Sequence, residues 1–179
     1  ASRAQAGESV EFQPSLPNSV VQISADGHTA TAAPWLTLEA TVVSTQAFVS
    51  GTHTFKAFGT VARGNKVVGV SLKSNSSSHF LGHGADSWGF SSWSGNKIHN
   101  DSVGTGQLFS DPWTGVEVDI ILDADIGTLS FAVGGSTPKL AWRGLPTGAT
   151  LRHAGGFRLA ASMCCGQGIV LGGGGPTPP

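Results

Sequence analysis

Apolar residues along this chain recur with a period of two, in short runs separated by Gly, Ser, Asn and Pro. The clearest unit is residues 116–133, in which two such runs flank the turn sequence DADIG at 123–127. Its alternating apolar positions are Val116, Val118, Ile120 and Leu122, followed by Leu129, Phe131 and Val133. This alternation predicts a β-hairpin with one face in a core.

Further β-rich runs occupy residues 20–24, 38–43, 53–61, 66–72, 157–162 and 168–171. Helical i, i+3, i+4 spacing is scarce between them. Several antiparallel strands in a chain of 179 residues need a second sheet to cover their apolar face. The pattern therefore predicts an all-β fold, an antiparallel two-sheet β-sandwich.

The ends of the chain carry little that could be buried. We interpret residues 1–7 as a flexible N-terminal tail and residues 172–179, GGGGPTPP, as a tail or linker. The remaining residues, 8–171, have the length of a single domain. Because the sequence begins without Met, we expect an excised domain or a processed product.

Charge and cysteine content limit the classes of partner and the cellular compartments that we expect for this chain. Charged residues make up 12% of the chain, the net charge is −1 and no basic cluster occurs, so we expect no nucleic-acid partner. We also expect no membrane partner, because no apolar run approaches a membrane span and the first residues lack the charged-then-apolar pattern of a signal peptide. The adjacent Cys164 and Cys165 are interpreted as free thiols, which favours an intracellular, cytoplasmic location. Asn75 and Asn100 both satisfy the N-glycosylation sequon, and whether they are glycosylated stays open.

Candidate catalytic groups are few. Glu117 and Asp119 project from one face of a strand, about 6.6 Å apart, as in glycoside hydrolases. One β-sandwich glycosidase family needs a further acid two residues on, where Ile121 stands, so we interpret the pair as solvent-facing. His79, His83 and Asp86 lie in a Gly-containing stretch without helical spacing. We therefore predict no enzyme activity, no metal and no cofactor.

Five tryptophans could stack on sugar rings or on a peptide. They are Trp35, Trp88, Trp93, Trp113 and Trp142. We expect about three of the five to be structural supports.

The order of motifs from Gly51 to Leu171 resembles the SPRY domain. The matching blocks are FVSGTHTFKAF, NKVVGVSL, LGHGADSWGFSSWSGNKIHND, VEVDIILDADIGTLSFAVGG and FRLAASMCCGQGIVL. The resemblance implies a bent β-sandwich of the concanavalin-like jelly-roll type, with residues 51–171 as the SPRY core and 8–50 as a possible PRY-like extension. Within it, Trp88 and Gly89 are expected to define the fold.

SPRY domains are known as non-enzymatic protein-interaction modules that bind peptides or partner surfaces through loops at one edge of the sandwich. The resemblance carries the peptide pocket of one SPRY group onto residues 43–46, 97–100 and 164–166. The family's basic residue is absent from the first loop, its tyrosine falls at Ile98 and its tryptophan at Cys165, whereas Gly166 is kept. The implied partner-binding residues are Ser44, Thr45, Gln46, Lys97, Ile98, Asn100, Met163, Cys164, Cys165 and Gly166.

The leading hypothesis is a monomeric domain that binds a protein or peptide segment through an apolar face around Ile98, Met163 and Cys165. One alternative is a carbohydrate-binding module or a catalytically defective glycosidase, suggested by the tryptophans and the carboxylate pair. The other is a purely structural domain packed inside a large assembly.

Overall fold

The computed structural model of the protein describes residues 10–13, 20–37, 39–60, 64–72, 80–100 and 107–172. Two antiparallel sheets account for most of this part of the chain, in agreement with the predicted all-β sandwich. The strands are β1 (Val21–Ile23), β2 (Thr29–Ala32), β3 (Ala40–Val43), β4 (Thr52–Gly59), β5 (Val67–Ser71), β6 (Ser87–Ser91), β7 (Asn96–His99), β8 (Gln107–Leu108), β9 (Glu117–Asp123), β10 (Thr128–Val133), β11 (Lys139–Arg143), β12 (Arg158–Met163) and β13 (Gly168–Gly172). A short helix, α1 (Gly148–His153), connects β11 to β12.

The seven-stranded sheet has the order β1-β2-β13-β4-β9-β10-β11, and the six-stranded sheet the order β3-β12-β5-β6-β7-β8. Consecutive strands therefore alternate repeatedly between sheets, and the apolar faces of both enclose one main core. Among the described residues, no helix is both long and apolar enough to cross a bilayer.

The hairpin predicted from the alternating pattern is confirmed. β9 pairs with β10, which places Leu122 opposite Leu129 and Ile120 opposite Phe131, all inside the core. The buried alternation starts at Val118 and not at Val116 as predicted, because Val116 precedes β9 and is exposed.

The segment 81–101 contains two strands, β6 and β7, that period-two patterning does not reveal. All five residues of β6 are buried, so there is no alternation to detect. Gly89 pairs with Gly69 of β5, and a Cβ at Gly69 would lie 1.9 Å from the carbonyl oxygen of Trp88. Only glycine fits so close an approach between the two strands.

The N-terminal part of the described chain completes both sheets. β1 and β2 extend the seven-stranded sheet beyond β13, whereas β3 joins the six-stranded sheet beside β12. The outer edge of β3 is covered in turn, since Gln13 donates its backbone N–H to the carbonyl oxygen of Val43 at 2.8 Å and Phe12 bridges to Ser44. This pairing blocks an edge that could otherwise accept a foreign strand.

Candidate functional site

The strand registers divide the connecting loops between two ends of the sandwich. At one end, here called the Trp35 end, lie residues 33–36, 64–66, 92–95 and 164–167. At the other, the Gln46 end, lie residues 44–51, 80–86 and 124–127. β12 runs from one end to the other, so Arg158 and Cys164 are separated by about 20 Å of extended chain. The candidate residues carried over from the family therefore do not form one pocket.

The first candidate loop, Ser44 to Gln46, lies at the Gln46 end and is held in place by hydrogen bonds to the rest of the domain. Ser44 is buried; its Oγ donates to the carbonyl oxygen of Gln46 at 2.8 Å and accepts the N–H of Leu159 at 3.1 Å. Arg158 donates to the carbonyl oxygens of Ser44, at 2.9 Å, and of Thr45. Thr45 and Gln46 are exposed, and Thr45 Oγ1 donates to the side chain of Gln46 at 2.7 Å.

The second candidate segment lies on β7 and just beyond it. Lys97 bridges the two sheets, because its Nζ donates to the carbonyl oxygen of Ala141 at 3.0 Å and lies 5.8 Å from the ring centre of Trp142. Asn100 follows at the Gln46 end, exposed and with a left-handed φ of 51°.

Two of the predicted contact residues belong to the interior. Ile98 is 2% exposed and packs in a small second cluster with Val43, Val67 and Leu81. Met163 is 0% exposed and lies in the main core. The expectation that these two side chains form an apolar contact face is wrong, because both are buried, in two different clusters, and offer no surface to a partner.

The third candidate segment is a tight turn at the Trp35 end. The N–H of Gln167 donates to the carbonyl oxygen of Cys164 at 2.9 Å, and both central residues, Cys165 and Gly166, have positive φ, of 54° and 75°. Such angles are those of a type I′ turn. Cys165 is exposed, Cys164 is half-buried, and both are free thiols. Burial raises the pKa of Cys164 to about 12, with a further contribution from a hydrogen bond to the Cys165 thiol.

A groove of about 420 Å³ opens beside this turn. Its lining comprises Gln22, Thr31, Ala32, Ala33, Pro34, Trp35 and Gly166, none of them ionisable. Backbone hydrogen bonds join the turn to the groove wall, from Cys165 to Leu36 at 2.9 Å and from Gly166 to Ala33 at 3.2 Å. Gly166 is thus the one predicted partner-binding residue that lines the groove. Trp35 was considered in the sequence only as a possible stacking ring, and the other five lining residues were missed.

The Trp35 end also carries the two exposed tryptophans of the chain's five. Trp35 is 64% exposed and Trp93 is 68% exposed, whereas Trp88 and Trp113 are buried and Trp142 is half-buried. The division into three supports and two exposed rings agrees with the expectation from the sequence.

A series of contacts connects the loops that carry the two exposed rings. The turn at Gly166 touches Pro34, and Gln167 lies against Gly64. Next to Gly64, Asn65 accepts the backbone N–H of Trp93 at 3.4 Å and the hydroxyl of Ser91 at 2.6 Å. The signal that could have pointed to this surface is an aromatic residue beside Pro34, outside any alternating run.

The carboxylates singled out in the sequence have a structural partner. Lys56 Nζ lies 2.5 Å from Glu117 and 3.0 Å from Asp119 on the outer face of the seven-stranded sheet. The hydrogen bond from Glu117 raises the pKa of Lys56. One cation therefore pairs with both carboxylates and offsets part of their negative charge. Within the ranges described above, no three His, Cys, Asp or Glu side chains are grouped as a metal site would require.

Comparison with known proteins gives a consistent answer. The chain resembles the SPRY domain of human HERC1, with a TM-score of 0.68 at 20% identity over 89% of this chain and 96% of that one. It resembles the TRIM65 PSpry domain with a TM-score of 0.68 at 17% identity over 93% and 91%, and stonustoxin with 0.64 at 20% over 90% and 26%. No match was found among curated proteins. A family model for the SPRY domain matches residues 53–168, and the chain belongs to this family of protein-interaction modules.

Proposed function

We propose that this SPRY domain binds a segment of a partner protein at the Trp35 end, with the groove beside Trp35 and Gly166 as the central contact. The observation that carries the proposal is the exposure of Trp35 and Trp93 on loops at one end of a rigid sandwich. A tryptophan that loses its hydration in a partner's pocket dominates many protein interfaces. Loops held by a rigid scaffold are where binding surfaces commonly occur.

The chemistry of the groove favours an uncharged segment. Its polar groups are the side chains of Gln22 and Thr31, which stand opposite each other on β1 and β2. Trp35 and Pro34 supply the apolar wall. A segment that offers one apolar side chain and a backbone or amide hydrogen-bonding group therefore suits it better than an acidic or basic one.

Hydrogen bonds hold the wall in place before any partner arrives. Leu36 donates to Ala33, and the turn residues Cys165 and Gly166 donate to Leu36 and Ala33. A preformed wall spares the ordering cost of binding. The interaction is non-catalytic, as is general in the family.

Selection of peptides from a random displayed library against the purified domain tests the proposal. We expect enriched peptides whose affinity falls at least about tenfold on Trp35→Ala, which corresponds to a loss of about 1.4 kcal/mol. Gln46→Ala and Asn100→Ala, at the opposite end, serve as matched exposed controls and should leave the affinity unchanged. Peptides that tolerate Trp35→Ala and Trp93→Ala but respond to the controls would move the site to the Gln46 end.

Carbohydrate binding is the second candidate, because exposed indoles also stack on sugar rings. A glycan array probed with the wild-type domain and with Trp35→Ala separates the two functions. Glycan binding that disappears with Trp35, together with no enriched peptide, would favour the sugar.

A further inference from the structure

We propose that the groove beside Trp35 is the docking site of a segment of this same chain, residues 176–179, whose sequence is Pro-Thr-Pro-Pro. Docking covers the groove and makes the segment a competitor of any partner that binds there. Only this competition rests on the function proposed above; the docking itself does not.

The length of chain that follows β13 is sufficient for this contact. β13 ends at Gly172, and Gly168 of the same strand stands opposite Thr31 of the groove. Thr31 therefore lies about 14 Å from Gly172, since four strand residues span about 13 Å and neighbouring strands are about 4.8 Å apart. Residues 173–179 span at most about 23 Å when extended. Pro178 and Pro179 can thus reach the groove, with several ångströms left for the reversal of direction.

The end of β13 and the groove lie on the same face of the seven-stranded sheet. Leu171 of β13 and Ala32 of β2 belong to the core. Their neighbours Gly172 and Thr31 therefore face outward, because successive side chains of a strand alternate between the two faces. A segment that folds back over this face passes Gly168, which carries no side chain, before it reaches Thr31. Residues 173–175 are all glycine, the residue that restricts such a reversal least.

The groove and the segment also match in chemistry. Neither the groove lining nor residues 173–179 contain a charged side chain. Proline has no N–H, so a Pro-rich segment presents mainly carbonyl acceptors. Gln22 and Thr31 supply an amide and a hydroxyl that can donate to such carbonyls. Trp35 and Pro34 form an apolar wall, and aromatic-lined grooves are common binding sites for Pro-rich segments.

Attachment to the same chain makes even a weak contact effective. A short linker gives the group at its end an effective concentration on the order of 1 mM. A groove contact with a Kd of about 1 mM is then formed in about half of the molecules. The fixed φ of proline also lowers the entropy lost when the segment is ordered. A partner that needs the free groove would therefore bind with an apparent Kd about twofold higher.

¹H–¹⁵N spectra of the full chain test the docking through the Trp35 indole, whose resonance is assigned by its absence in Trp35→Phe. Wild type is compared with a proline-free variant that carries Pro176→Gly, Pro178→Gly and Pro179→Gly. We expect the Trp35 indole resonance to differ between the two proteins. A synthetic GGGPTPP peptide, added to the variant at millimolar concentration, should move this resonance back towards its wild-type position. The Trp93 indole, exposed at the same end but outside the groove lining, is the internal control and should not shift.

Two further variants test the role of the prolines and of the linker length. Thr177→Ser keeps all three prolines and should leave the Trp35 resonance at its wild-type position. Deletion of residues 173–175 leaves a reach of about 13 Å, too short for Thr31, so the Trp35 resonance should match that of the proline-free variant. Identical Trp35 resonances in wild type and the proline-free variant would overturn the docking. A difference that survives the deletion, or that depends on protein concentration, would overturn docking within one chain.

Failure of the docking is distinguishable from failure of the proposed function. Selected peptides that require Trp35, together with a Trp35 resonance that does not respond to the prolines, would overturn the docking alone. A docked segment without any enriched peptide would overturn the proposed function alone. Where both hold, the proline-free variant should bind the selected peptides about twofold more tightly than wild type. Equal affinities would overturn the competition.

Discussion

The imidazole of His99 stacks on the indole of Trp88, with ring centres 4.7 Å apart and planes inclined by 10°. Trp88 is buried and also meets Phe157 edge-on at 5.8 Å, so a residue of β6 joins β7 to the start of β12. His99 Nδ1 is 2.8 Å from the carbonyl oxygen of Ser87, which fixes the orientation of the ring. The aromatic residue inside the Ser-Trp-Gly motif is therefore part of the scaffold.

We predict that Trp88→Ala lowers the free energy of unfolding by about 3–5 kcal/mol, because it leaves a cavity where the indole packed. Urea denaturation followed by circular dichroism measures the loss. Trp93→Ala, at an exposed ring in the next turn, is the matched control and should stay within about 0.5 kcal/mol of wild type. Equal losses for the two variants would contradict a scaffold role specific to Trp88.

Gly69→Ala should be at least as damaging, at about 3 kcal/mol or more, because the added methyl group would meet the Trp88 carbonyl at 1.9 Å and force β5 away from β6. Thermal unfolding of the variant measures this. Gly135→Ala has free space around the new methyl group but a φ of 74°, so it isolates the cost of backbone strain, about 1–2 kcal/mol. A smaller loss of stability for Gly69→Ala than for Gly135→Ala would contradict the prediction, because it would mean that β5 and β6 move apart at little cost.

The ion cluster of Lys56, Glu117 and Asp119 should contribute less than about 1 kcal/mol, since the side chains are partly exposed. Because folding raises the pKa of Lys56, its stabilisation is complete below the ordinary value of 10.5 and is lost as pH rises through the folded pKa. Urea denaturation of wild type and Lys56→Met across this alkaline range should show that the difference in their free energies of unfolding shrinks as the pH rises. A difference in the free energy of unfolding that grows with pH would contradict a stabilising role for the Lys56 charge in this cluster.

Lys66 should behave in the opposite way. Its side chain is buried against Trp113 and Gly59, and burial lowers its pKa. A lowered pKa means that the unfolded chain binds the proton more tightly, so wild-type stability rises with pH up to the ordinary value of 10.5. Relative to Lys66→Met, the wild type should therefore gain stability between neutral pH and that value, whereas relative to Lys56→Met it should not. Parallel denaturation curves for the two variants at several pH values provide the comparison.

The sequence by itself determined the sandwich and its best hairpin. Alternation at Val118, Ile120 and Leu122 is a local property of one strand, and it survives in the fold because burying one face of a sheet requires it. The order of motifs likewise pointed to the family, and in this chain Gly69 and Trp88 lie where β5 and β6 pack closely together.

The tertiary structure alone decided which residues reach a surface together. Ile98 and Met163 occupy positions that the motif order placed near a pocket, yet both are buried, Met163 in the main core and Ile98 in the second cluster. Thr45 and Cys165 each follow one of two neighbouring strands but lie at opposite ends of the sandwich, because β3 and β12 run antiparallel. Trp35 and Gly166, far apart in the chain, meet because backbone hydrogen bonds join their loops. Pairing between distant strands sets all three outcomes, and no local pattern of residues encodes it.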